Sequence, residues 1–204
     1  GCTPTKTLVA SAYAAHIARR AADYGVTVGG AVSVDMKAVK ARKDAVVGPS
    51  RSGLERSLRT LKGCTVYVGH ARFVGPKEVE VGNDVLKADK IFINVGGRAV
   101  VPPIPGLDQV PYLTNSSMMD VDFLPPHLIV LGGSYVGLEF AQVYRRFGSE
   151  VTVIEAAPRL VAREDEDVSR AIADFLRDEG VDVRVGSKVV RAEKQGNDIS
   201  LTVE

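Results

Sequence analysis

Gly132-Gly133-Ser134-Tyr135-Val136-Gly137 is the stretch whose residue types and spacing point most directly to chemistry. It lies between an apolar run, Leu128–Leu131, and an amphipathic segment, Tyr135–Phe147, so it reads as a tight turn opening a helix. Amides at a helix start have no intrahelical acceptor and lie at the positive end of the helix dipole, which suits a phosphate. Gly132 permits the turn and Gly137 lets helix and strand pack closely. Ser134 stands where a G-x-G-x-x-G pattern has its second glycine; it is small enough for phosphates to approach, with less freedom than glycine. A second apolar run, Val151–Ile154, ends on Glu155, roughly twenty residues past the first glycine, where a carboxylate can accept from a ribose diol. Strand, turn, helix, strand and acid form the first half of a dinucleotide-binding βαβ unit.

Cys2 is the second reactive candidate. Thr3-Pro4 reads as a helix start, with a capping hydroxyl and then proline at the first helical position. The helix is expected to run to about Asp23, before Gly25, with Leu8, Ala12 and Ala15 on one face. Cys2 just ahead of that N-terminus would favour thiolate over thiol. Position alone leaves open an incidental cysteine near a chain end.

The remaining elements must position these groups. Val26–Val34 looks like a short strand, followed by a helix capped by Asp35 whose basic face (Lys37, Lys40, Arg42, Lys43) is expected to be solvated. Gly48-Pro49 is expected to break or kink it, and Leu54, Leu58 and Leu61 resume an apolar stripe. From Cys64 the period becomes that of strands: Thr65–Val68, Arg72–Val74, Glu78–Val81, Val85–Leu86 and Lys90–Ile93, an antiparallel meander. Cys64 is expected to be packed. Asn94-Val95-Gly96-Gly97 and the proline-rich Pro102–Gly106 lead to a domain boundary near Pro111, dividing residues 1–111 from 112–204. After the βαβ unit, Glu164–Glu179 is expected as a helix with Val168, Ile172, Phe175 and Leu176 inward. Val181–Val185 then gives a third parallel strand, and Lys188–Glu193 with Ile199–Val203 a hairpin.

A chain of 204 residues supplies one large or two small domains. Its net charge of +1, with both signs interspersed, gives no basic stripe for nucleic acid or an anionic membrane. No apolar run is long enough to span a bilayer. Two widely separated cysteines make no disulfide framework, so a reducing cytoplasm is the default compartment. No metal-ligand pattern is present.

With these pieces placed, the whole chain resembles the middle of a flavin-dependent pyridine nucleotide-disulfide oxidoreductase, the family of dihydrolipoamide dehydrogenase, glutathione reductase and mercuric reductase. Gly1-Cys2-Thr3-Pro4-Thr5-Lys6 resembles the second half of a C-x-x-x-x-C redox signature, and P-T-K-T-L is most like mercuric reductase-like members. The resemblance implies an α/β fold of FAD/NAD(P)-binding Rossmann type: a doubly wound parallel sheet with an antiparallel meander, in two partial domains. It implies FAD in residues 1–111, and NAD, with NADP possible, in residues 112–204. Cys2 then matches the thiolate against the flavin, Lys6 the lysine beside flavin N5, and Glu139 its paired glutamate. Gly132, Gly133, Ser134, Val136, Gly137 and Glu155 would hold the dinucleotide, with Tyr135 beside the nicotinamide. His70 and Ala71, within Gly69-His70-Ala71, match a segment at the flavin adenine. Gly96 and Gly97 match an A-T-G-G strand end from which Asn94 and Val95 depart.

A buried lysine keeps its charge only if paired, which gives Glu139 its role; the alternative is two ordinary surface charges. Glu155 favours NAD by repelling a 2′-phosphate, with Arg159 and Arg163 read as loop charges. The first redox cysteine, the flavin domain's opening strand and glycine motif, and the interface domain with its His–Glu pair have no counterpart here. The 204 residues therefore read as an internal fragment, expected to be inactive alone. The longer protein would be a homodimer passing electrons from nicotinamide through FAD to a disulfide and then to a small molecule or small disulfide. Two other readings stay open: a non-catalytic nicotinamide-nucleotide-binding redox sensor, and a single-cysteine flavin NADH oxidase or peroxidase.

Overall fold

The computed structural model describes all residues, Gly1–Glu204. Helix α1 (Cys2–Arg19) begins earlier than Thr3-Pro4 suggested. Gly1 is its N-cap, and the Thr5 hydroxyl donates to the Gly1 carbonyl at 3.1 Å. Pro4 sits inside the first turn, where an amide would have no helical acceptor, so it costs no bond. Cys2 is thus the first helical residue rather than the one before it. The helix also ends earlier, and Ala21–Tyr24 form a tighter 3-10 turn closed by Gly25 at φ +72°.

Helix α2 (Met36–Thr60) starts as expected, since Asp35 Oδ1 accepts from the amides of Lys37 (2.9 Å) and Ala38 (3.1 Å). It continues through Gly48-Pro49 instead of stopping there. Its basic face is not simply solvated. Arg42 donates to the Thr7 carbonyl (3.0 Å) and the Ser11 hydroxyl (3.2 Å) of α1, and Lys43 is buried, paired with Asp44.

The chain divides into two compact units, Gly1–Val47 with Val100–Glu204, and Gly48–Ala99. The smaller unit holds an antiparallel meander of β1 (Ala71–Gly75), β2 (Glu78–Val81) and β3 (Asp84–Lys87), in the order β1-β2-β3. Phe73 pairs with Val79, and Val79 with Leu86. Thr65–Val68 and Lys90–Ile93, expected as further strands, enter no ladder, nor does Val26–Val34 in the larger unit. Their alternating apolar residues stay largely in solvent: Val68 is 77% and Phe92 89% exposed.

In the larger unit β4 (His127–Leu131), α3 (Tyr135–Phe147), β5 (Glu150–Ile154), α4 (Glu166–Asp178) and β6 (Asp182–Arg184) follow in sequence. The strands form a parallel sheet in the order β4-β5-β6, with Val130 beside Val153 and Val153 beside Val183. Helix α3 buries Leu138, Phe140, Ala141, Val143, Tyr144 and Phe147, each large side chain stabilising by roughly 2 kcal/mol, and α1 adds Leu8 and Ala12 to the same core. Gly148, at φ +125°, ends α3. Helix α4 meets the expectation in part: Leu176 and Ile172 pack inward as expected, but the buried face is rotated away from Val168 and Phe175. Ser169, Ala173 and Leu176 are buried, whereas Val168 and Phe175 are 42% and 46% exposed. The hydroxyl of Ser169 donates to the buried Leu160 carbonyl at 2.7 Å, and that bond fixes the rotation.

A hairpin of β7 (Val189–Gln195) and β8 (Asp198–Val203) completes the unit. The proline-rich segment packs on it: Leu107 and Val110 share a small core with Ala192, and the Ala192 amide donates to the Pro105 carbonyl at 2.9 Å. A side chain at Gly106 would have its Cβ 2.1 Å from the Ala192 carbonyl oxygen. No helix is long and apolar enough to cross a membrane.

Candidate functional site: a glycine turn and a paired lysine

The turn between β4 and α3 has the form its glycines require. Gly132 adopts φ +105°, and its amide donates to the Ile154 carbonyl at 2.9 Å. A Cβ at Gly137 would lie 2.6 Å from the Gly132 carbonyl oxygen and 3.1 Å from Val130 Cγ1, so only glycine admits this crossing of helix over strand. A Cβ at Gly133 would meet Leu160 Cδ2 at 2.5 Å. Ser134 is the N-cap in extended conformation, its side chain making no capping bond. The first bond entering α3 runs from the Leu138 amide to the Ser134 carbonyl at 3.1 Å. The amides of Tyr135, Val136 and Gly137 therefore have no intrahelical acceptor, and Tyr135 is 71% exposed.

Glu155 leaves the end of β5 and turns back to the glycines. Its Oε2 accepts from the Gly133 amide at 2.6 Å and its Oε1 from the Ala157 amide at 2.7 Å. Each oxygen keeps a lone pair for a further donor. Glu155, expected to meet a ligand, also organises the turn. Arg159 is committed to its own loop, donating to the carbonyls of Ala162 (3.1 Å) and Glu164 (3.2 Å).

The structure brings Lys6 of α1 and Glu139 of α3 together in a direct ion pair between Nζ and Oε1. The pair is not buried as expected, with side chains 62% and 33% exposed. Coulomb energy alone contributes little at that exposure, about 0–1 kcal/mol. What the pair does is hold an ammonium at a fixed place on the α1 surface. Cys2, one turn before Lys6 and exposed, shares that face.

The far ends of the two helices are tied as well. Arg19 of α1 donates to the Arg146 carbonyl, and through Nη2 to the Phe147 carbonyl at 3.2 Å, satisfying the last carbonyls of α3. Arg146 in turn binds Glu179 through Nε (2.7 Å) and Nη2 (2.6 Å), and Gln142 Nε2 adds a bond at 2.9 Å. Burial pushes the Glu179 carboxyl up, but the guanidinium of Arg146 and the Gln142 amide outweigh it and hold it below its ordinary range. His16 is pushed down, first by burial and then by the Arg146 charge. No sequence signal marks these ties, because Arg19, Arg146 and Glu179 are separately ordinary helix-end charges. The residues matched to the flavin adenine segment, His70 and Ala71, and those matched to the A-T-G-G strand end, Gly96 and Gly97, belong to the smaller unit and are all exposed, with Gly96 at φ +70°. Cys64, expected to be packed, is half-buried.

A parallel βαβ unit with this turn, behind a helix carrying Cys2 and Lys6, defines a nucleotide-binding oxidoreductase fold. The chain belongs to the pyridine nucleotide-disulphide oxidoreductase family, whose sequence model matches residues 1–204. It is 36% identical over 209 residues to the probable pyridine nucleotide-disulfide oxidoreductase RclA of Escherichia coli (strain K12), covering all of this chain and 43% of that protein. A mercuric reductase of Streptomyces lividans is 35% identical over 208 residues, again with all of this chain covered and 44% of the relative. Among solved structures, the HOCl-induced flavoprotein disulfide reductase RclA from Escherichia coli superposes with a TM-score of 0.81 at 36% identity, over 100% of this chain and 43% of that one. The chain thus spans less than half the length of these relatives.

Proposed function

We propose that this chain is the electron-entry part of a flavin-dependent NADH:disulfide oxidoreductase. When bound, the nicotinamide supplies a hydride and the flavin relays its two electrons to a disulfide. The observation that carries the reading is the Lys6–Glu139 pair, which sets an anchored cation one helical turn from an exposed cysteine. The residues fit both groups. The turn offers the open amides of Tyr135, Val136 and Gly137 to a pyrophosphate, and Glu155 has acceptor capacity left for a ribose diol. The exposed thiol and ammonium on one face of α1 are the donor set an electron-accepting ring edge calls for.

Each residue has a task in this reading. Lys6 presents positive charge where negative charge gathers, and Glu139 fixes its direction. Cys2, exposed in the first turn of α1, supplies the sulfur that attacks or leaves in disulfide exchange. Glu155 places a negative charge where a 2′-phosphate would sit, and Nη2 of Arg159 turns to its own loop, so NAD is the preferred coenzyme. The final acceptor is a small molecule or small disulfide, and the longer protein works as a cytoplasmic homodimer. The test is Cys2→Ser in the protein that carries these residues. NADH should still bleach the flavin absorbance while disulfide reduction is abolished; disulfide reduction surviving the change would overturn the assignment.

A further inference from the structure

Gly133 is gripped from both sides by the loop that follows β5. Its amide goes to Glu155, and its carbonyl accepts from the Val161 amide at 2.8 Å. Leu160, 1% exposed, packs its side chain where a Gly133 side chain would otherwise lie. To make this contact Val161 takes φ +40°, the one non-glycine residue in the chain at positive φ. A β-branched residue adopts that conformation only when its surroundings impose it. The imposing bonds are visible: Ser169 of α4 donates to the Leu160 carbonyl at 2.7 Å with both residues buried, and the Glu164 amide donates to the Val161 carbonyl at 2.8 Å.

We propose that Leu160 and Val161, anchored by Ser169, are positioning residues that keep the glycine turn open for a pyrophosphate, an inference that rests on the dinucleotide reading above. The reason lies in competition for one acceptor. In a continuing helix the Gly133 carbonyl would accept from the Gly137 amide, four residues on. The Val161 amide takes up that carbonyl's bonding instead, which disfavours winding α3 back over the turn and drawing the Gly137 amide away from the phosphates. A helix residue remote from the ligand thus acts through a loop on the shape of the ligand's cradle.

Linkage supplies the test, because a clamp that favours binding must itself be tightened by the ligand. Amide hydrogen exchange would be measured on the unaltered protein with and without NADH, followed by titrations of Ser169→Ala with NADH and with ADP. NADH is expected to raise the protection of the Val161 amide. The alanine variant is expected to weaken NADH and ADP by the same factor, about three- to tenfold, since both ligands use the pyrophosphate turn. NADH binding that leaves Val161 exchange unchanged overturns the inference, whether or not the variant folds. An alanine variant with both affinities kept within about twofold overturns it too. If the unaltered protein does not bind NADH at all, the dinucleotide reading fails first and the inference falls with it.

Discussion

Replacing Glu155 with glutamine keeps the shape of the side chain and changes only its charge and its donor pattern. Two amides converge on the carboxylate, Gly133 at 2.6 Å on one oxygen and Ala157 at 2.7 Å on the other. A glutamine offers one oxygen, so one of these amides must face an NH2 group. Leaving a half-buried amide without an acceptor costs about 1–3 kcal/mol. The surviving bond loses its charge assistance, about 1 kcal/mol more. Together these give about 2–4 kcal/mol, a fall in Tm on the order of 10 °C for a chain of this size. The same change removes a negative charge that would oppose a 2′-phosphate, worth about 1 kcal/mol for two charges about 5 Å apart in water-like screening. The ratio of Kd for NADPH to that for NADH should therefore fall about five- to tenfold. Thermal unfolding followed by circular dichroism reads the first effect, and fluorescence titration with each coenzyme reads the second. A variant that melts within about 1 °C of the parent would refute the structural role of Glu155. An unchanged coenzyme ratio would refute its role in selecting NAD.

Gly137→Ala sets a methyl 2.6 Å from the Gly132 carbonyl oxygen, a backbone atom, so the turn itself must shift. NADH affinity should drop by at least about tenfold with a stability loss of about 1–3 kcal/mol, and an unchanged Kd in an NADH titration would contradict the crossing described for α3. Burial pushes the Tyr144 hydroxyl from 10.0 up to about 12, so its contribution is complete below pH 10 and is lost as pH rises towards 12. Tyr144→Phe should flatten the alkaline fall in stability over that window by about 2–3 kcal/mol, read as denaturant midpoints at stepped pH; parallel profiles for the two proteins would rule it out.

The elements legible in the sequence are those whose signals are local. Leu128–Leu131, the glycines and Val151–Ile154 specify strand, turn, helix and strand by adjacency, and β4, α3 and β5 form within a residue or two of the expected limits. Thr65–Val68 and Lys90–Ile93 show where local signals stop. Alternation states which side chains share a face, but a strand needs a hydrogen-bonding neighbour, and these segments find none within the chain. The charge of Lys43 predicts a place in solvent, and its position on α2 buries it. Of the candidate site, Lys6 and Glu139 could be matched as a pair only through the family likeness, because nothing in their separate surroundings forecasts contact. Val161 carries no sequence mark at all. Its backbone conformation is imposed by Ser169, Leu160 and Gly133, three residues that meet only after the sheet and α4 have assembled.

The grip of Pro105 and Leu107 on Ala192 also bears on how the larger unit acquires its structure. These groups stand on opposite sides of the βαβ region in the chain, so the contact closes a long loop, and its entropic cost is met only when β4, β5 and β6 have already drawn the two ends near. The terminal hairpin should accordingly be a late arrival in refolding, acquiring protection together with the proline segment rather than with the sheet.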